Sequence, residues 1–284
     1  GQNALKANTT GQRLTAVGQG ALAANTTADS NSALGRSALG QNTTGHDNTA
    51  VGRESLYVNS TGSDNTAVGA FALDANTTAS ENTAIGKSAM TANTTGGYNV
   101  AVGFYAAAAN TTGDYNVAVG RQAFDANTTG SYNTALGTSA LGANTTANEN
   151  TAVGYAAGGL ITTGANNTLV GSESGDALTS GDMNVAIGKS ALGANTVGDR
   201  NVAVGAYALS TNNPATNQDS YNVGVGYAAG NAITTGKQNT AVGGLALDEL
   251  TTGDRNVAIG FGSISSASTG SDNTAVGNYA LIEN

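Results

Sequence analysis

The sequence predicts an all-β fold, a parallel β-solenoid of 16 stacked 17-residue coils, and two observations carry that expectation. First, a glycine follows an apolar triplet at Gly18 and Gly35 and recurs every 17 residues as far as Gly205. One step of 21 leads to Gly226, and the step of 17 resumes at Gly243, Gly260 and Gly277. Second, residue types are held position by position inside that period, as they are in stacked repeat architectures. Gly1 is in phase. Residues 1–284 therefore read as a single repeat domain of 16 coils and an eight-residue remnant, with a four-residue insertion within residues 211–221.

With the recurrent glycine as position 0, the common unit is G-x-x-A-L-x-A-N-T-T-G-x-x-N-T-A-V. The position-0 glycines, among them Gly52, Gly69, Gly86, Gly103, Gly120 and Gly137, are expected in turns, supplying positive φ, as are those at position 10. Glycine twice per unit, with β-branched residues between, leaves no room for helices; two short strands and two tight turns fit. At about 4.8 Å per coil, 16 coils would extend on the order of 75 Å.

Leu at position 4 and Val, Ile or Leu at position 16 are expected to fill a thin core, each contributing roughly 1.5–3 kcal/mol before entropy. Position 13 is Asn in 15 of 16 repeats. Stacked in register, Asn48, Asn65, Asn82, Asn99, Asn116 and Asn133 would form a side-chain amide ladder, and a second Asn column runs at position 7. Position 14 alternates between Thr and Val, which share a shape and mark a half-buried β position. Ala at position 15, kept in 14 repeats, implies close approach of another backbone, either the opposite wall of the same coil or a second chain. Three repeats lose Leu at position 4 (Gly158, Gly175, Gly230) and gain an apolar residue at position 7 (Ile161, Leu178, Ile233). Volume conservation in a shared core requires such a trade. Leu250 departs from it, since Leu247 is also present.

Composition narrows the function classes. Gly counts 41 and Pro 1, without a three-residue period, so collagen is excluded. A net charge of −9 disfavours nucleic acid as a partner. No apolar run reaches the roughly 18 residues of a membrane span. There is no Cys to mark a redox compartment. The sequence shows no signal peptide, and a start at Gly1 is compatible with a removed leader or a segment of a longer chain.

The pentads NTAVG, NTAIG and NVAVG resemble the core repeat of the head domains of trimeric autotransporter adhesins, and units such as YNVAVGRQAFDANTTGSYNTALG are similar to arrays in phage tail fibres and bacterial surface proteins. The adhesin-head repeats are shorter, so the extra residues here must enlarge a turn. The resemblance covers nearly the whole chain. It implies a left-handed β-roll, a homotrimer, and a role in attachment at a cell or virion surface, with a surface glycan or protein as receptor.

No catalytic, cofactor or metal site is predicted. His46 is the only histidine, at a turn position, and there is no Cys/His set for zinc. Aromatic residues cluster beside the turns, at positions 1, 2 and 12. Tyr98, Tyr115, Tyr132 and Tyr221 share position 12; the first three lie on successive coils and should stack about 5 Å apart. They read either as a surface strip for a sugar or another surface, or as a packing ladder. The same position carries Asp47, Asp64 and Glu81, a solvated acidic edge or a place for calcium. Position 1 holds Arg36, Arg53, Lys87, Arg121 and Lys189, explained by a solvated turn. The insertion, with the only proline, Pro214, reads as a neutral loop or a contact point. The N-x-T sequences read as ladder residues, because a glycan on every coil would crowd.

The leading functional reading is a non-catalytic structural and attachment segment of an extracellular trimeric fibre. Ice binding through the Thr columns at positions 8 and 9 is one alternative. End-to-end assembly into an extracellular filament is another.

Overall fold

In a computed structural model, which describes residues 1–265 and 268–282, the chain divides into two compact units, Gly1–Ser139 and Ala140–Asn284. Each is a parallel β-solenoid, and the described residues contain no helix. In the first unit every coil gives one strand: β1 (Thr15–Val17), β2 (Ser32–Leu34), β3 (Thr49–Val51), β4 (Thr66–Val68), β5 (Thr83–Ile85), β6 (Val100–Val102), β7 (Val117–Val119) and β8 (Thr134–Leu136). Their register is the sequence period itself. Thr49 pairs with Thr66, Ala50 with Ala67 and Val51 with Val68, and the same step repeats from β1 to β8.

The second unit continues the pattern with β9 (Thr151–Val153), β10 (Thr168–Val170), β11 (Val185–Ile187), β13 (Val202–Val204), β15 (Val223–Val225), β16 (Thr240–Val242), β17 (Val257–Ile259) and β18 (Thr274–Val276). The 21-residue step leaves that sheet undisturbed, because Val202 still pairs with Val223. The extra residues are absorbed beside it by a two-stranded pair, β12 (Gly198–Asp199) with β14 (Gln218–Asp219). Pro214 is buried there; a Cβ added to Gly198 would lie 2.9 Å from its Cγ.

One strand per coil, rather than two, is a correction with a clear cause. Positions 2 and 4 are left-handed along the chain, as in Glu54 (φ 57°) and Leu56 (φ 48°), so that arm of the coil cannot be extended. Left-handed backbone costs a non-glycine residue roughly 1–2 kcal/mol. The coil-to-coil hydrogen bonds offset that cost: Glu54 N–H donates to the Arg36 carbonyl (2.9 Å) and Leu56 N–H to the Ala72 carbonyl (3.0 Å). The turns therefore stack in register as the strands do.

Position-4 side chains such as Leu39, Leu56, Leu73, Phe124 and Leu192 are fully buried, together with Ala at position 15 and Asn at positions 7 and 13. Position 16 is not in the core, contrary to the sequence expectation. Val17, Leu34 and Ile85 are 53%, 50% and 40% exposed. Strand alternation decides this: Asn at 13 and Ala at 15 point inward, so 14 and 16 must point out. The small residue at 15 answers to the opposite wall of the same coil. A Cβ added to Gly224 would lie 2.9 Å from Leu209 Cγ.

The exceptions obey the same geometry. A Cβ on Gly158 would sit 3.0 Å from Ile161 Cδ1 and 2.7 Å from Leu169 Cδ1, and one on Gly175 would sit 2.9 Å from Leu178 Cδ1 and 2.8 Å from Leu169 Cδ2. Leu169 is the only leucine at position 15, and it fills space released by the two missing position-4 side chains. Leu247 and Leu250 are both fully buried in their coil.

Candidate functional site

Three sets of side chains have to be placed: the buried ladders, the outward sheet face, and the column at position 12. Asn48, Asn65, Asn82, Asn99, Asn116 and Asn133 stand on successive coils with side chains at most 2% exposed. From Asn48 to Asn116 each Oδ1 accepts the backbone N–H of the next Asn, as Asn48 does from Asn65 (3.0 Å). Nδ2 donates to the position-10 carbonyl of the following coil, as Asn48 does to Gly62 (2.9 Å). The position-7 column forms a second ladder. Asn59 Nδ2 donates to Asn42 Oδ1 (2.9 Å) and to the Gly62 carbonyl (2.9 Å). These residues hold the coils in register and present nothing to solvent.

The two glycine columns differ. At position 0, Gly52, Gly69, Gly86, Gly103, Gly120 and Gly137 have φ between 134° and 140°, and Cβ atoms added to the first five would meet the next coil's glycine carbonyl. Position 10 has no left-handed φ, which corrects the expectation for that turn. Its glycines serve close approach instead. A Cβ on Gly62 would come within 2.2 Å of the Ala79 carbonyl oxygen.

In each unit the outward face of the sheet carries two columns. Position 16 is a row of Val, Leu and Ile, with Val119 37%, Ile187 39% and Ile259 41% exposed, and position 14 adds alternating Thr and Val. No charged residue interrupts either column.

Position 12 is left-handed throughout, which turns its side chains outward. Tyr98, Tyr115 and Tyr132 form a stack. Their ring centroids are 4.8 and 5.1 Å apart, with interplanar angles of 4° and 5°. The ring faces are therefore spent on one another, and solvent meets mainly edges and hydroxyls. A sugar that stacks on an aromatic face would find one only at the two ends of the row. Tyr221 is apart from them. Its hydroxyl donates to Asp219 Oδ2 (3.1 Å), the Arg200 guanidinium lies 5.8 Å from its ring, and Arg200 pairs with Asp219.

Among the described residues, the one group of three His, Cys, Asp or Glu side chains whose ligand atoms converge is His46, Asp47 and Asp64, within 4.8 Å of one another. These are the residues that could hold a cation, and all three are exposed. His46 Nδ1 lies 2.8 Å from Asp47 Oδ2. Glu81 is outside the group; its charge is the largest influence raising the Tyr98 phenol above its ordinary value.

Two functional columns escaped the sequence reading. At position 11, a Ser or Asp oxygen caps the N–H of the same position one coil earlier: Asp29 caps Gln12 (2.7 Å), Ser80 caps Ser63 (3.0 Å) and Asp114 caps Gly97 (2.7 Å). The recurrence of Ser and Asp there was the available signal. Position 5 is the second. Asp74, Asp125, Asp176 and Asp248 sit there, and burial raises each carboxyl above its ordinary value. Thr91 Oγ1 donates to Asp74 (2.6 Å), which opposes the rise.

A raised carboxyl in the folded state binds protons more tightly than in the unfolded chain. Its stabilising contribution is complete below the unfolded value and is lost as pH rises through the folded one. Thermal melting should therefore shift upward between pH 7 and about pH 4. Asp272, lowered by its hydrogen bond with Arg255, contributes in the opposite sense only at lower pH. Replacing Asp74, Asp125 and Asp176 by Asn together should flatten the profile; an unchanged slope would refute the assignment.

The Thr column at position 8 is engaged as well. Thr26, Thr77 and Thr111 donate their hydroxyls to carbonyls on the following coil (3.2, 3.0 and 2.8 Å). No helix among the described residues is long and apolar enough to cross a membrane.

The geometry defines the class as a parallel β-solenoid of 17-residue coils. Comparison with protein-family models gives no match, and comparison with curated proteins gives none.

Proposed function

We propose that the chain is a structural and attachment segment of an extracellular homotrimeric fibre, and that it works by association rather than by catalysis. The observation that carries this reading is the outward sheet face. In each unit a row of half-exposed Val, Leu and Ile, flanked by Thr and Val, is left without cover on the sheet face, whereas the position-4 side chains of the inner coils are buried. Contiguous apolar patches beyond a few hundred Å² mark interaction surfaces. Within each unit the common register of the coils means that a second copy meets the same surface from coil to coil. Three copies, and an outer-surface location, come from the resemblance of the NTAVG units to adhesin heads and tail-fibre arrays. A surface glycan or protein would be the receptor, and repeated weak contacts would gain by avidity.

Light scattering tests this directly. The native mass should equal three chains of 27.7 kDa. Ile85→Glu with Val119→Glu should reduce it to one chain with an unchanged circular dichroism spectrum, because both side chains point away from the core. A monomeric unaltered chain would overturn the proposal. Particles of widely distributed length would replace it with a filament.

A further inference from the structure

We propose that Tyr98, Tyr115 and Tyr132 form an oxidative cross-linking site, at which a haem-peroxidase-type oxidant supplied with hydrogen peroxide joins neighbouring rings as dityrosine. Two tyrosyl radicals couple when their rings meet before either is quenched, and free side chains rarely arrange this. Here the coil spacing arranges it permanently, with near-parallel rings 4.8 and 5.1 Å apart. Other aromatic pairs in the chain are edge-on, such as Tyr207 and Tyr227 at 6.1 Å and 86°.

Access is the second requirement. Tyr98, Tyr115 and Tyr132 are 48%, 46% and 59% exposed, so their edges and hydroxyls, rather than their faces, are open to an oxidant. The edges are where the ortho carbons lie. Closing the bond needs a lateral shift of the rings, and these side chains project into solvent with no core packing to hold them. Tyr98 also has the Glu81 carboxylate beside it, a ready acceptor for the phenolic proton that leaves with the electron.

The chemistry balances without further partners. Each phenol gives up one electron and one proton, two phenoxyl radicals form one carbon–carbon bond at their ortho positions, and transfer of the two ortho hydrogens to the ring oxygens restores both phenols. Hydrogen peroxide takes the two electrons and two protons and leaves as two waters. The product staples successive coils covalently, at a position where they are otherwise joined only by hydrogen bonds such as Tyr115 N–H to the Gly97 carbonyl (3.2 Å). Tyr115 is the shared partner of either bond.

The test uses the full chain, dilute, treated with a haem peroxidase and hydrogen peroxide, then digested with trypsin. No Lys or Arg lies between Lys87 and Arg121, or between Arg121 and Lys189. A bond from Tyr98 to Tyr115 therefore appears as the 88–121 peptide lighter by two hydrogens. A bond from Tyr115 to Tyr132 appears as that peptide joined to 122–189. Dityrosine fluorescence should accompany both. Tyr115→Phe keeps a stacking ring and should keep the circular dichroism spectrum, yet it should abolish both products and most of the fluorescence. Tyr155→Phe, on another exposed tyrosine, should leave them unchanged. Undiminished dityrosine in Tyr115→Phe would overturn the proposal, as would bonds found mainly at other tyrosines or between two copies of 88–121.

Discussion

Gly86→Ala is expected to cost about 2–6 kcal/mol, the sum of a strained backbone and an overlap that only backbone movement can relieve. Gly86 has φ 137°, outside the regions open to a residue with a side chain. An added Cβ would stand 2.3 Å from the Gly103 carbonyl oxygen, which is itself fixed by the stack. Gly96→Ala, in the same coil, is the informative partner. Its static overlap is similar, 2.4 Å to the Gly113 carbonyl oxygen, but its φ is not left-handed. Ala28, Ala79 and Ala147 already occupy that position in other coils, whereas position 0 is glycine in every one. Urea unfolding of the two variants should separate them by at least about 2 kcal/mol. Equal losses would mean that close approach, not backbone conformation, sets the requirement at position 0.

That contrast also shows how far the fold was legible in the sequence. Within each unit the 17-residue step gives the register of the strand pairs other than β13 with β15 and β12 with β14, because stacking identical coils admits no other alignment. It also gives the Asn columns, since an amide repeated on every coil has a partner above and below. Strand number was misread for a physical reason. Periodicity reveals that positions 1–6 repeat, but repetition is equally strong for stacked turns. Leu at position 4 with left-handed φ breaks a local propensity rule that only coil-to-coil hydrogen bonding can offset. Position 16 was misplaced because its residue types are those of a core. The burial of Asn at 13 and Ala at 15 fixes its direction; the sequence showed both columns but not that they face inward. The trade between Gly158 and Ile161 was visible as a pattern, but Leu169 joined it only when the structure placed that side chain between two glycines.

The candidate surface was legible in part. The tyrosine spacing follows from the period, so the stack was expected. Its consequence, rings spent on each other with edges outward, depends on a side-chain direction that no spacing reveals. The convergence of His46 with Asp47 and Asp64 likewise needs the turn, because His46 and Asp64 belong to different coils and different positions.

The second large effect concerns a ladder residue. Asn65→Ala is expected to destabilise the fold by about 2–4 kcal/mol, since a buried donor left without a partner costs about 1–3 kcal/mol and the other lost hydrogen bonds about 1 kcal/mol more. Asn65 Nδ2 donates to Asn48 Oδ1 (3.1 Å) and to the Ala79 carbonyl (2.9 Å), and its Oδ1 accepts from the Asn82 N–H (3.1 Å). Alanine removes all three: Asn48 Oδ1 and the Ala79 carbonyl keep the Asn65 N–H and Asn76 Nδ2 as donors, but the Asn82 N–H loses its acceptor in an interior closed to water, with Asn48 and Asn82 both 0% exposed. Asn65→Asp separates the two roles of the amide. The carboxylate can still accept from Asn82, but it offers no donor and sets a charge against two oxygen acceptors. At neutral pH it should therefore be at least as damaging as alanine. As pH falls the acid takes up a proton, and the new O–H can donate where Nδ2 did. Its folded-state pKa is raised, so stability should return below the ordinary carboxylate value and be lost again as pH rises through the folded one. Melting temperatures of Asn65→Ala and Asn65→Asp between pH 3 and 8 would check this. If the two variants keep a constant difference across that range, the ladder works by packing volume and not by its hydrogen bonds.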